Sequence, residues 1–424
     1  MKKHLLPAAL LFAFGISATI AGPSKSFLIT THGAISDART VNTAAIQKTI
    51  DTAAANSGGG TVIIPQGTFV SGALFLKPGV NLHLEKDAVL KCSTDMANFP
   101  PRRTRIEGHF EESFTPALIN ADGCDNLTIS GAGTLDGSGM PVWELFWKLR
   151  NAAPDKRNFK NLSIPRARLA LIENSKNVTI DGVSFKDSQF WNLHIYKCQN
   201  VTIKNISISV PDDYKQAPSS DGIDIDSSQD ITIQSCTFSV TDDCIAMKGS
   251  KGPHALDDKD SPPVERVSIS DCTFKRGHSA VTLGSEATIV KEVTVKNCKV
   301  HGHMALMNFK LRPDTPQHYE NIHYSDIVLD NEDGTVISIQ PWKQYFDLKG
   351  ESPPQSTVRN ISLNNITGKF GSFGTIDGNK DQTSISGITL ENIHLELKKD
   401  TLKLGEITGF KTENVIINGK PVSF

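Results

Sequence analysis

One short phrase recurs along the chain, a polar residue followed by alternating apolar and polar positions. It reads Asn177-Val-Thr-Ile, Asn200-Val-Thr-Ile, Asp230-Ile-Thr-Ile, Arg266-Val-Ser-Ile, Glu292-Val-Thr-Val, Asn321-Ile-His-Tyr, Asn360-Ile-Ser-Leu, Gly387-Ile-Thr-Leu and Asn414-Val-Ile-Ile. Alternation with period two is the mark of a half-buried strand. The β-branched residues at 178, 201, 231, 267, 293, 322, 361, 388 and 415 set a register whose spacing averages about 30 residues. Five residues after each of the first eight stands a small apolar column: Val183, Ile206, Cys236, Cys272, Cys298, Ile327, Ile366 and Ile393. One residue earlier come Gly182, Asn205, Ser235, Asp271, Asn297, Asp326, Asn365, Asn392 and Gly419. These residue types tolerate positive φ in tight corners. A strand, a left-handed corner and a second strand, repeated, describe one coil of a solenoid. The pattern predicts an all-β chain, a right-handed parallel β-helix of about ten coils.

A solenoid end needs a cap. Asn42 and Thr43 precede Ala44, Ala45, Ile46, Ile50, Ala53 and Ala54 at helical spacing, and Gly58-Gly59-Gly60 stops the run. The spacing predicts a capping helix ahead of the first coils. No linker interrupts the remainder, so 22–424 reads as one catalytic domain.

The first residues read as an address. Met1-Lys2-Lys3-His4 is basic, Leu5 to Ala21 is apolar, and Thr19-Ile20-Ala21 offers small residues before a cut. Residues 1–21 have the form of a secretory signal peptide. The expected location is periplasmic or extracellular, with no membrane association after processing. Composition narrows the rest. The 44 Lys and Arg nearly balance 46 Asp and Glu, for a formal charge of −2. That argues against a nucleic-acid partner. Seven cysteines is an odd number and none forms a CxxC pair, which speaks against both a disulfide framework and a zinc site. Cys236, Cys272 and Cys298 fall in the apolar column instead and are expected to be reduced core residues. The reading requires no cofactor and no metal, and expects a monomer.

Candidate chemistry breaks the repeat pattern. Ser220-Asp221-Gly222-Ile223-Asp224 is followed by Thr241-Asp242-Asp243-Cys244, then Arg276-Gly277-His278, then Asn308-Phe309-Lys310-Leu311-Arg312. From Asp221 to Asp242 is 21 residues, from Asp243 to His278 is 35 and from His278 to Lys310 is 32. Each step is about one coil, so these groups should share one face. Crowded carboxylates raise the pKa of at least one of them. An acid holding its proton beside an ionised base is what glycosidic cleavage needs. The adjacent cations suit an anionic substrate. His194, following Trp191 one coil earlier, and Trp342 and Tyr345 one coil later, are candidate substrate contacts. Asp224 and Asp226 alternate with Ile223 and Ile225 and should point outward from their strand.

In these motifs the sequence resembles glycoside hydrolase family 28, the polygalacturonases and their pectin-degrading relatives. That family carries Asn-Thr-Asp-Gly, Asp-Asp, Gly-His-Gly and Arg-Ile-Lys in this order. Here they read Ser219-Ser220-Asp221-Gly222, Asp242-Asp243, Gly277-His278-Ser279 and Asn308-Phe309-Lys310. The resemblance covers nearly all of 22–424. It implies an inverting hydrolase of α-D-galacturonosidic bonds, with Asp242 as general acid and Asp221 and Asp243 sharing the base role. It also implies His278 in the site and Lys310 on the substrate carboxylate. Asn308 departs from the family Arg, and Arg312 is the candidate substitute. The stretches Leu283–Glu286, 310–317 and 341–350 are similar to the bacterial branch that includes rhamnogalacturonan enzymes. The implied partner is an anionic plant cell-wall polysaccharide, polygalacturonan or rhamnogalacturonan, the latter slightly favoured. Two alternatives remain open: a pectate-lyase-type β-helix and a non-catalytic carbohydrate-binding solenoid.

Overall fold

The computed structural model describes residues 25–156, 159–344 and 346–424. The expected signal segment 1–21 and Tyr345 lie outside the described residues. Strands stack in parallel from coil to coil, with three strand positions in each coil. The first position holds the recurring phrase, for example Lys176–Asp181, Gln199–Lys204 and Gln229–Gln234. The second holds Ser184–Lys186, Ser207–Ser209 and Thr237–Ser239. The third holds Ala170–Glu173, Leu193–Tyr196, Ile223–Asp226, Ile245–Lys248, Ser279–Leu283, Ala305–Leu311 and Thr335–Pro341. This is the parallel β-helix that the repeat predicts.

The register holds for eight of the nine phrases: Val178, Val201, Ile231, Val267, Val293, Ile322, Ile361 and Ile388 are successive partners. The ninth slips. Val415 pairs with Ile393 instead of Ile388, and Asn414 Nδ2 donates to Asn392 Oδ1 at 2.8 Å. The last phrase therefore stacks on the corner column.

The corner residues Gly182 through Asn392 and Gly419 all have positive φ. So does the opening polar residue of each phrase, from Asn177 at 58° to Asn414 at 51°. Each coil thus turns at two left-handed corners. Asparagine suits both, because it tolerates this conformation and bonds along the stack. Asn200 Nδ2 donates to Asn177 Oδ1 at 2.7 Å, and Asn365 Nδ2 to Asp326 Oδ1 at 2.6 Å. Cys236, Cys272 and Cys298 are buried and free, as the column requires.

The capping helix spans Thr43–Ala55 and buries Ile46, Thr49, Ile50 and Ala53. Two excursions were not anticipated. A helix, Met140–Ala152, packs Trp143 and Phe146 against the coils. An antiparallel hairpin, Arg102–Ile106 with His109–Phe114, folds over the third strand position. Its Ile106 and Phe114 form a small apolar cluster with Phe190 and Trp191.

Candidate active site

Side chains of the third strand position alternate between core and exterior. Ile223 and Ile225 point into the coil, and Asp224 and Asp226 point out, as expected. Outward does not mean solvated here. Both aspartates are buried, because loops and the hairpin cover this face.

The bends that precede these strands carry the chemistry. The N–H of Gly222 donates to Asp243 O, and that of Cys244 to Ser279 O, each at 2.9 Å. Asp221, Asp243 and Ser279 therefore occupy matching places on successive coils. Asp242 matches His278, whose N–H donates to Asp242 O at 2.9 Å. The two flanking glycines allow this approach. A Cβ on Gly222 would lie 2.3 Å from Cys244 O, and one on Gly277 would lie 2.7 Å from Cys244 Sγ.

Asp242 Oδ1 accepts from the Asp243 N–H at 3.0 Å and faces His278 Nδ1 at 3.2 Å. Asp243 is buried. Its Oδ1 accepts from Ser279 Oγ at 2.8 Å and its Oδ2 from Lys310 Nζ at 2.6 Å. Lys248 Nζ lies 3.7 Å from Asp221 Oδ2, 3.7 Å from Asp224 Oδ1 and 3.8 Å from Glu286 Oε2. The Trp191 ring centroid is 5.0 Å from the same ammonium.

This arrangement divides the carboxylates. Burial, then the charge of Asp242, push Asp221 well above the carboxylate range despite Lys248. Burial and Asp221 do the same to Asp224. For Asp242 burial is outweighed by the hydrogen bond and charge of His278, with Lys310 and Lys248 behind, and its pKa falls. The same bond raises His278 to about 9. Burial alone would neutralise Lys310, but Asp243 and Asp242 outweigh it and its pKa rises. Burial and mutual repulsion thus favour the protonated forms of Asp221 and Asp224, while His278 and Asp242 form a hydrogen-bonded couple.

The spacing of Asp242, Asp243 and His278 would also suit a cation, with one ligand atom of each within 4.8 Å. Lys310 already neutralises Asp243 there.

Two candidates from the sequence sit differently from their reading. His194 is wholly buried, between Arg168 Nη1 at 2.7 Å and Asp226 Oδ2 at 3.5 Å. Burial lowers it to about 4, so it is a neutral prop beneath the surface and does not reach substrate. Arg312 is buried and bidentate to Asp314, at 2.8 Å from each oxygen. It does not replace the family Arg at Asn308, which faces Thr282 with Nδ2 3.4 Å from Oγ1. Trp342 is half-buried on the lip, its ring 5.0 Å from Lys310 Nζ. Lys248, Asp224 and Glu286 were missed. The outward parity of Ile245–Lys248, beside Asp226 in register, was the available signal for Lys248.

Beyond His278 a cleft of about 370 Å³ runs toward the later coils, lined by His278, His303, Thr335, Ser338, Gln340 and Ser372. Clustered carboxylates and lysines at the head of an open polar cleft on a β-helix define a polysaccharide-cleaving hydrolase. Residues 60–415 match the model of the Glycosyl hydrolases family 28, and the chain belongs to that family. It is a glycoside hydrolase. Over 392 residues it is 26% identical to an exopolygalacturonase of Zea mays, covering 90% of this chain and 86% of that one. A polygalacturonase of Nicotiana tabacum is 25% identical, over 81% of this chain and 77% of its own. In fold it is similar to a hyperthermoactive exopolygalacturonase from Thermotoga maritima, with a TM-score of 0.72 and 24% identity over 94% of this chain and 93% of that one. A polygalacturonase from Erwinia carotovora gives a TM-score of 0.67 and 22% identity, over 95% and 99% of the two chains. Among the described residues no helix is long and apolar enough to cross a membrane.

Proposed function

We propose that the enzyme hydrolyses α-D-galacturonosidic bonds in the pectin backbone with inversion at the anomeric carbon, outside the cytoplasm. The observation that carries this reading is the convergence of Asp221, Asp242 and Asp243 with His278, Lys248 and Lys310 at one end of an open cleft. The Asp242–His278 couple supplies the proton to the departing oxygen. His278 Nδ1 can recharge Asp242 across 3.2 Å, so either member can hold the proton as the bond breaks. Asp221 and Asp243 take a proton from the attacking water. Asp221 must be ionised for this; burial and the charge of Asp242 oppose that form, and the nearby cations Lys248 and Lys310 favour it. Membership in the Glycosyl hydrolases family 28 favours hydrolysis over elimination.

Digestion of polygalacturonan beside rhamnogalacturonan tests the reading. New reducing ends, and products whose fresh anomeric signal in NMR is inverted, are expected from at least one polymer. An unsaturated product absorbing in the ultraviolet, or a retained anomer, would overturn it.

Two further results are expected at this site. kcat/KM should fall as pH rises through about 9, where the free enzyme's His278 loses its proton. His278→Gln should lack that limb. The same group has a raised folded pKa, so its contribution to stability is complete below about 6.5 and disappears as pH rises through about 9. Two-thirds of its side chain is exposed, so solvent screens this contribution.

The second result concerns Lys310. Its ammonium is committed to Asp243, so Lys310→Met should lower activity by roughly 10–100-fold, the equivalent of a charge-assisted bond of about 1.5–3 kcal/mol. The loss should appear on methyl-esterified galacturonan as well as on the charged polymer. Full activity of the variant on the esterified polymer would show that Lys310 serves only the substrate carboxylate.

A further inference from the structure

We propose that the hairpin of Arg102–Ile106 and His109–Phe114 closes the groove on one side of the catalytic carboxylates, and that Glu107 at its tip, with Asn161, recognises the free hydroxyls of a chain-terminal galacturonate. The enzyme then works from the non-reducing end. This rests on the galacturonosidase reading above.

The first observation is an asymmetry along the outward face. Past His278 the outward residues Ser338 and Gln340 line the open cleft. On the coil before Asp221 the equivalent residues His194 and Tyr196 are buried, as is Asp226 on the coil of Asp221 itself. The hairpin covers them, and it is held firmly. Arg105 Nε donates to Asp226 Oδ2 at 3.0 Å, and Arg168 donates to Arg105 O at 2.8 Å and Thr104 Oγ1 at 2.6 Å. Arg105 and Ile106 are themselves fully buried. A groove with such a wall cannot pass a polymer through on both sides.

The second observation is what the wall presents. Glu107 sits at φ 45° and Gly108 at φ 78°. Gly108 fits only because it lacks a Cβ, which would lie 2.8 Å from Gly249 O and 2.9 Å from Glu286 Cβ. The tip is thereby pressed against the coil that carries Lys248. Glu107 is half-buried, and its Oε1 accepts from Asn161 Nδ2. That amide also lies 3.3 Å from Ser219 Oγ, two residues before Asp221. Asn161 Oδ1 accepts from the buried Arg166 at 2.7 Å. An oriented carboxylate and amide thus stand at the closed end beside the catalytic aspartates.

The third step is chemical. The acid couple belongs to the leaving group, and His278 faces the open cleft. The departing chain therefore lies in the cleft, and the sugar being released lies toward the hairpin. In that sugar C4 is across the ring from the reacting C1. Within a pectin backbone the O4 of galacturonate carries the next sugar, and only at the non-reducing end is it a free hydroxyl. A wall contacting O4 excludes internal units. A carboxylate there accepts from O3–H and O4–H, while it repels the sugar's own carboxylate toward Lys248 and Lys310.

The test uses oligogalacturonides tagged at the reducing end, together with polygalacturonan. The wild-type enzyme should release untagged monomer and shorten the tagged chain one unit at a time, with viscosity falling slowly relative to new reducing ends. An oligomer whose terminal unit is 4,5-unsaturated, and so lacks the O4 hydroxyl, should be cut about 10-fold or more slowly. Glu107→Gln and Asn161→Ala, each checked for an unchanged melting temperature, should narrow that preference. Early cleavage at interior bonds, or variants that keep the full preference, would overturn the proposal while leaving the galacturonosidase reading in place. Absence of hydrolysis on any galacturonan would overturn both.

Discussion

Asp242→Asn should lower kcat on galacturonan by about 10²–10⁴-fold, the contribution of a positioned proton donor. The substitution is a narrow one. Asn keeps an oxygen that can accept from the Asp243 N–H, as Asp242 Oδ1 does at 3.0 Å, so the bend between the two residues is retained. What disappears is a group able to carry a proton to the glycosidic oxygen. KM should change little, because the carboxyl acts on the leaving group as the bond breaks and not on the resting substrate. A second readout separates chemistry from folding. The His278 pKa is raised first by its hydrogen bond to Asp242 and then by the charge of that residue. In the variant both are weakened, so an NMR titration of His278 should return toward the ordinary imidazole value near 6.5. Turnover within about tenfold of wild type would reassign the acid, with Asp221, whose protonated form burial and Asp242 favour, as the next candidate.

The placement of Asp242 was open to sequence reading because the β-helix converts spacing along the chain into position along one face. Each coil advances the chain by one layer, so residues separated by one repeat must meet. The same logic exposed the cysteine column and the corner asparagines. It gave Asp221, Asp242, Asp243 and His278 to one face, though the matching pairs are Asp221 with Asp243 and Asp242 with His278. It failed where the chain leaves the repeat. The helix Met140–Ala152 has Pro141 at its start and apolar Val142, Leu145, Phe146 and Leu149 at helical spacing, a readable local signal. The hairpin offered none. Glu107 meets Asn161 across 54 residues, and only the tertiary fold of both excursions brings them together. His194 and Arg312 were misread for one common reason. The sequence places a side chain on the outward face, but it does not say which loops will cover that face. Lys310 reached the site as expected, yet its nearest anion is Asp243, because a buried carboxylate needs a cation whether or not substrate is present.

Lys248 is where this need is greatest, and Lys248→Met should be the most destabilising single change in the site. The lysine is buried, with Asp221, Asp224 and Glu286 each within 3.8 Å of Nζ. Burial disfavours its charge, but Asp221, Asp224 and Glu286 outweigh burial and hold the ammonium protonated. Glu286 in turn is held well below the carboxylate range by Lys248, then Lys251 and Arg312, against its own burial. Methionine fits the space beside Trp191 but leaves buried carboxylates without their cation. Removing one partner of a buried ion pair costs about 3–5 kcal/mol. The sign of the pH dependence follows. In the variant these carboxylates have folded pKa values raised above their unfolded ones, so the folded state binds more protons than the unfolded state near neutrality. Stability then falls as pH rises, and the deficit relative to wild type should be largest at pH 7 and smaller near pH 4. Urea unfolding midpoints at the two pH values measure it. Activity should fall as well, since Asp221 loses the charge that favours its ionised, proton-accepting form. A variant as stable as wild type at pH 7 would mean that Asp221 and Asp224 already share enough protons to stand without Lys248, and that the lysine serves the substrate rather than the carboxylates.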